Sequence, residues 1–370
     1  QTLGNMDLDE FLEEEATESK VKPGILPEAA FEFLWYDPTV KERDLKELPL
    51  SRYFEDLGLL QIRESWERDS KVLTIKCGHP GGKKQWKTGW QLYRQEGIRC
   101  LALSHHHPDN LSYIFARGGE YLTCEDGYNR NIMPDNHNVI LVDGMYTDAK
   151  GVNDVYMSSV ALRQQEQTDQ EIENSYVGDV TCFQVDGSVV IYKGETSGIY
   201  PRALSMKEVS RTLFTDGLDF WVFVDVCRSD EAHIYQLISN TVPKAVKAKE
   251  TGYLYPMQSG NIRYTVFSDK KVQEVLYDQD VVAVMTTQEP DKVCHSHIET
   301  LRTKSAEKVC NQVFFECFTF DEENAQVEWN ERTLRIICKG KKYEIRVDEN
   351  QTEILIKKYT DAEEKSWIVR

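Results

Sequence analysis

At 370 residues, with 40% hydrophobic and 11% aromatic side chains, the chain has the balance of a globular protein with a substantial core, not of a disordered one. A formal net charge of -18 at pH 7 repels phosphate backbones and anionic lipid surfaces, so neither nucleic acid nor membrane is expected as a partner. No run reaches the roughly 18 apolar residues of a membrane span, and nine cysteines without a C-x-x-C pair or framework spacing read as reduced core thiols in a cytoplasmic protein.

Residues 7 to 19 (DLDEFLEEEATES) form an acidic run with Leu8, Phe11 and Leu12 at helical spacing, followed by Pro23, Gly24 and Pro27. A frayed helix and a linker are expected. The segment PEAAFEFLWYDP has Pro27 in a first helical turn, apolar Phe31, Leu34 and Trp35, and a stop at Pro38, which predicts one short helix. Residues 1–40 are thus read as linker and short helical segment, and 41–370 as the main domain. After Leu48 the texture changes to short runs rich in Val, Ile, Tyr, Phe and Thr between Gly, Asn and Asp: LGLLQIRESW, KVLTIKC, LSYIFARGGEYLTCEDG, NVILVDG, GSVVIYKG and DFWVFVDVC. These are strands. The turn at Gly81 to Lys84 reads as a charged hairpin tip, and Trp86, Trp90 and Tyr93 as core or sugar-stacking aromatics. Residues 163–174 (RQQEQTDQEIEN) lack apolar periodicity and read as an exposed excursion. Near the end, alternating residues on either side of Lys339-Gly340-Lys341 predict a meander with one wet face. The expected fold is all-β, a large antiparallel two-sheet β-sandwich.

Four of the eight histidines fall within 33 residues: His105, His106 and His107, then His137. In an extended strand His105 and His107 share a face. Hairpin geometry can bring His107, Asp126 and His137 together as an N,N,O set that suits Zn²⁺ and admits other divalent ions. The bland alternative makes His137 a hydrogen-bonded core residue and Asp126 a turn residue capping its own backbone. His295 and His297 repeat the same-face spacing, but without a partnered carboxylate motif they read as a solvated segment.

The strings HHHPDNLSYIF, EDGY and HNVILVDG resemble the pattern H-x-H-x-D-x-x-S-[FI], D-S-G-[YF] and H-N-T-[VI]-x-V-D-G of the heparinase II/III-like polysaccharide lyases. FLWYDP, LPLSRYFEDLGLLQIRESW and LTIKCGHPGG are similar to segments that open the β-domain of that family. The motifs cover roughly residues 31 to 240. Two departures stand out: Cys124-Glu125-Asp126-Gly127 replaces the usual small residue between Asp and Gly or shifts the aspartate by one place, and Asn138-Val139 lacks the usual Thr. Aligning D-x-G makes Glu125 the ligand; carboxylate identity favours Asp126, which is retained.

The resemblance implies an N-terminal incomplete α/α toroid and a C-terminal antiparallel β-sandwich, of which only the second is present here. It implies β-elimination at a uronic acid, with an anionic polysaccharide or oligosaccharide as substrate and the upstream toroid as partner. By motif match the β-domain's proton-transfer residue is His105. The metal, Zn²⁺ first, is then structural, held by His107, Asp126 and His137, and it aims His105 by fixing its strand. Arg130, in GYNRN, is a candidate for bidentate pairing with a substrate carboxylate. Without the toroid the chain is expected to be nearly inactive. The rival reading is a non-catalytic carbohydrate-binding or scaffold sandwich that keeps the metal motif.

Overall fold

The structure is a computed structural model describing residues 37–41, 44–98, 107–125, 134–146, 177–242, 244–247, 252–284 and 293–370, with Leu34 and Glu173. Two compact units divide at Leu48/Pro49. In the first, Leu45–Glu47 forms one 3-10 turn whose Lys46 amide is capped by the Asp44 carboxylate. The helices expected before residue 38 lie outside the described residues apart from Leu34, as does the 163–174 excursion apart from Glu173.

In the second unit β1 (Ser51–Phe54), β2 (Leu59–Arg63), β3 (Lys71–Lys76), β4 (Tyr113–Arg117) and β5 (Glu120–Tyr121) form a meander, with helix α1 (Lys83–Glu96) between β3 and β4. After β6 (Ile140–Val142), the strands β7 (Asp179–Asp186), β8 (Val189–Glu195), β9 (Met206–Asp216) and β10 (Phe220–His233) run as successive hairpins. β11 (Tyr235–Thr241) leaves to pair with β6. Next come β12 (Val246–Lys247), β13 (Tyr253–Tyr255), β14 (Ile262–Ser268), β15 (Val272–Val284), β16 (Val293–Ser305) and β17 (Val309–Phe320). They complete an eight-stranded sheet, β12-β13-β14-β17-β10-β9-β8-β7, and a four-stranded sheet, β15-β16-β11-β6. The segment holding His295 and His297 is therefore strand β16. A second meander closes the chain: β18 (Gln326–Asn330), β19 (Thr333–Cys338), β20 (Lys341–Val347), β21 (Ile354–Tyr359) and β22 (Glu364–Val369). Its β19–β20 turn has positive φ at both Lys339 and Gly340, the turn whose twist matches its flanking strands.

The all-β antiparallel sandwich is as expected, with four sheets among the described residues in place of two. β10 shows how they stack. Phe220, Val222, Val224 and Val226 share a core with Leu334, Ile336, Tyr343 and Ile345 of the last sheet. Trp221, Phe223 and Cys227 share another with Leu60, Leu73 and Phe115 of the first sheet and Ile140, Leu237 and Leu301 of the four-stranded sheet. The eight-stranded sheet is thus covered on both faces. That explains why DFWVFVDVC is an almost unbroken apolar run, since a strand buried on both sides loses its alternation.

Asp216, at the end of β9, ties the last meander to the central sheet. It accepts hydrogen bonds from Tyr343 Oη (2.7 Å) and Ser188 Oγ, and pairs with Lys358 (2.8 Å) and Lys341 (3.4 Å). Burial opposes its ionisation, but Lys358, the two hydroxyls and Lys341 prevail and bring its pKa down to about 2. A carboxylate depressed on folding contributes stability that is fully present above its unfolded pKa, near 3.8, and lost as pH falls through about 2. Asp216→Asn is expected to cost about 2 kcal/mol at neutral pH and to flatten the acid limb of a pH–stability curve between about pH 4 and 2. An unchanged acid limb by urea titration would remove Asp216 from this role.

One element departs from the sequence reading. Gly81 to Lys84 opens α1 instead of tipping a hairpin. Gly82 offers no side-chain cap and the first turn has no acidic residue, so the usual start signals are missing. What makes the helix is its aromatic stripe: the buried Trp86 and Trp90 and the half-buried Tyr93 lie at i, i+4 and i+7, with successive rings edge-on at 5.9 Å. Gly97 ends it in a left-handed conformation, its amide meeting the carbonyls of Leu92 and Tyr93. Trp86 and Trp90 are 3% and 0% exposed, so they are core and have no face free for stacking on a sugar.

Candidate metal centre

Three loops carry the cluster. The first holds His107, on a coil segment ahead of β4 and not within a strand. After Pro108 the chain turns through Asp109, where Lys76 grips it: Lys76 Nζ pairs with Asp109 (2.6 Å) and the Lys76 carbonyl accepts from Leu111 N (2.7 Å). Leu111 has φ of 70°, strained for a leucine, and it packs on Gly194 of β8. A Cβ at Gly194 would sit 2.8 Å from Leu111 Cδ2 and 2.6 Å from Cys77 Cβ, so a glycine is required for this close approach.

The second loop follows β5. Cys124 N donates to Asn240 O (3.2 Å) and delivers Glu125 to the site. The third is the 3-10 turn Pro134–Asn136, closed by His137 N donating to Pro134 O (3.1 Å). Asn138 then fastens all three. Its amide donates to Ser112 Oγ (3.1 Å), its Nδ2 to Tyr113 O (2.8 Å), and its Oδ1 accepts from Asn240 N (2.6 Å).

One ligand atom from each of His107, Glu125 and His137 lies within 4.8 Å of the others. His137 Nδ1 is 2.7 Å from Glu125 Oε2, His107 Nδ1 is 3.7 Å from Glu125 Oε1, and the two rings are 5.2 Å apart. Burial pushes the His107 pKa down, with Glu125 opposing, so its imidazole is held in the neutral form that ligates. Burial works against the Glu125 carboxylate as well, but the hydrogen bond from His137 outweighs it and holds its pKa below the usual carboxylate value. His137 is 0% exposed and its Nε2 meets no hydrogen-bond partner among the described residues. A buried polar atom left bare is costly.

These observations fit a divalent ion: two imidazoles and a carboxylate suit Zn²⁺, whose tetrahedral donors stand about 3.4 Å apart at ligand bonds near 2.1 Å. The carboxylate among the described residues is Glu125, the residue given by the D-x-G alignment. Asp126, His105 and Arg130 lie outside the described residues. Asp109 and Ser112 serve the loops, through Lys76 and through the Asn138 amide.

Sequence reasoning missed Asn138, Asn240 and, above all, Arg211. Arg211 Nη1 donates to both Leu111 O and Asn138 O at 2.8 Å, joining the first and third loops to the central sheet. Its signal was present: a charge in the middle of each of the buried strands β9, β10 and β17, namely Arg211, Asp225 and Glu316.

No family model matches the sequence. Among solved structures, the chain is similar to a heparinase III with TM-score 0.56 and 13% identity, over 89% of this chain and 44% of that one. It is similar to another heparinase III with TM-score 0.57 and 13% identity, over 99% and 48%. The heparan sulfate lyase HepC from Pedobacter heparinus aligns with TM-score 0.53 and 11% identity, over 98% and 48%. These likenesses show the fold, a β-sandwich like that of these polysaccharide lyases. The chain spans less than half the length of each.

Proposed function

We propose that the chain is the β-sandwich portion of a lyase that cleaves uronic-acid-containing polysaccharide by β-elimination. The observation that carries this reading is the convergence of His107, Glu125 and His137 inside a sandwich that superposes on heparinases. The three side chains hold one divalent ion, Zn²⁺ first, which pins the loops together and supplies rigidity. His105, two residues before His107, moves the proton. In the reaction a base removes the C5 proton of the uronate, the C4–O4 bond breaks as the C4=C5 double bond forms, and O4 leaves with a proton. Arg130 pairs with the substrate carboxylate. The remaining groups that neutralise that carboxylate and complete proton transfer belong to the partner helical toroid.

The chain alone, incubated with heparan sulfate, hyaluronan, chondroitin or alginate, is expected to form almost no unsaturated product by ultraviolet absorbance, because half of the cleft that positions substrate is absent. Joined to its helical domain it is expected to turn over, and His105→Ala to lower that rate by about 100- to 10,000-fold. Rapid turnover by the chain alone, lost in His105→Ala, would place the whole centre in this sandwich. No turnover by the joined protein would favour a non-catalytic carbohydrate-binding scaffold.

A further inference from the structure

An acidic protein that takes an anionic ligand needs a local reversal of its field. The outer face of the four-stranded sheet provides one. Strand register puts Arg302 beside Val275 and Lys304 beside Gln273, while the intervening Leu301 and Thr303 are buried on the inner face. The outward side chains bound an open groove of about 660 Å³, lined by Val275, Tyr277, Arg302, Lys304 and Lys308, with Asp143 at one end. That volume lies within the range of roughly 300–1,000 Å³ usual for small-molecule sites.

Three cations line the groove, and the carboxylate that lines it among the described residues, Asp143, is already engaged. Asp143 takes the Ile234 amide (2.8 Å), His233 Nδ1 (2.9 Å) and Lys308 (3.5 Å). Lys304 is half-buried and its ammonium has no ion pair or hydrogen bond among the described residues. The Arg302 fork gives Nη2 to Tyr277 Oη (3.1 Å) and Asp135 (3.3 Å), but its buried Nε is left without a partner among the described residues. Val275, 49% exposed, and the Tyr277 ring supply apolar surface between the charges. Cations flanking an apolar floor suit a ring that carries anionic groups at its rim. Asp135 belongs to the turn that delivers His137, so Arg302 ties the groove to that turn.

We propose that this groove is a separate binding site for anionic sugar residues, with carboxylate or sulfate groups on Arg302 and Lys304 and a pyranose face against Tyr277 and Val275. The choice of ligand rests on the uronate-polysaccharide reading above; the site itself does not require cleavage. The test is calorimetric binding of a heparan sulfate tetrasaccharide to the full chain, with inorganic sulfate and a polyglutamate peptide as comparisons. Lys304→Gln/Lys308→Gln and Arg302→Gln are expected to weaken tetrasaccharide binding by about tenfold or more, with metal content unchanged and melting temperature of the lysine pair unchanged. Wild-type binding should weaken as salt rises. Unaltered affinity in both variants would overturn the proposal, as would sulfate or polyglutamate binding as tightly as the sugar. Loss of binding in the variants while the joined protein forms no unsaturated product would uphold the groove and reject the lyase reading, so the two fail separately.

Discussion

Replacing Arg211 by methionine is expected to destabilise the sandwich by about 3–5 kcal/mol, read as a lowered urea midpoint, because it strands two carboxylates in the core. Arg211, Asp225 and Glu316 are all 0% exposed. All five guanidinium N–H groups are used: Nε and Nη2 grip Asp225 (2.7 and 2.9 Å), Nη2 also meets Glu316 (2.7 Å), and Nη1 holds Leu111 O and Asn138 O. Burial alone would lower the Arg211 pKa, but the two carboxylates override it and raise it. Burial, with Asp225 adding, pushes the Glu316 carboxyl up to about 7 against the pull of Arg211. An acid raised on folding contributes stability that is fully present below its unfolded pKa and lost as pH rises through the folded one. The deficit of Arg211→Met should therefore be larger at about pH 8 than at about pH 5, where Glu316 holds a proton. Adding Asp225→Leu and Glu316→Met should recover much of it, since an apolar triad of similar size removes the stranded charges. A deficit below about 1 kcal/mol for the single variant would mean that the core solvates its carboxylates without the guanidinium.

How far the sequence reveals this molecule depends on the range of the signal. Period-two alternation and Gly, Asn and Asp turns are local, so the C-terminal meander and its Lys339-Gly340 turn are legible. Helix α1 is not, because its start has no cap or acidic turn and its tryptophans answer to packing alone. Layering is hidden as well, since apolar runs such as DFWVFVDVC tell that both faces are buried but not against what. Of the candidate site, His107 and His137 are legible through clustering. The choice between Glu125 and Asp126 turns on one residue of register after β5, set by the Cys124 amide on Asn240 more than a hundred residues away. Arg211 escapes for the same reason, because its partners come from four distant segments.

His137→Ala is expected to remove the ion and lower stability together. A ligand that binds only the folded state adds about 2.7 kcal/mol when its free concentration is a hundredfold above its dissociation constant, and His137 is wholly buried where an empty socket cannot collapse freely. Chelation of the wild-type chain should lower its melting temperature and leave that of His137→Ala unmoved. The most direct test is elemental analysis of the dialysed chain beside Glu125→Ala, Asp126→Ala and His137→Ala. The expected result is about one equivalent of zinc or another divalent metal in the wild type and in Asp126→Ala, and almost none in the other two. No bound metal in the wild type, or full retention in Glu125→Ala, would contradict a centre built from His107, Glu125 and His137.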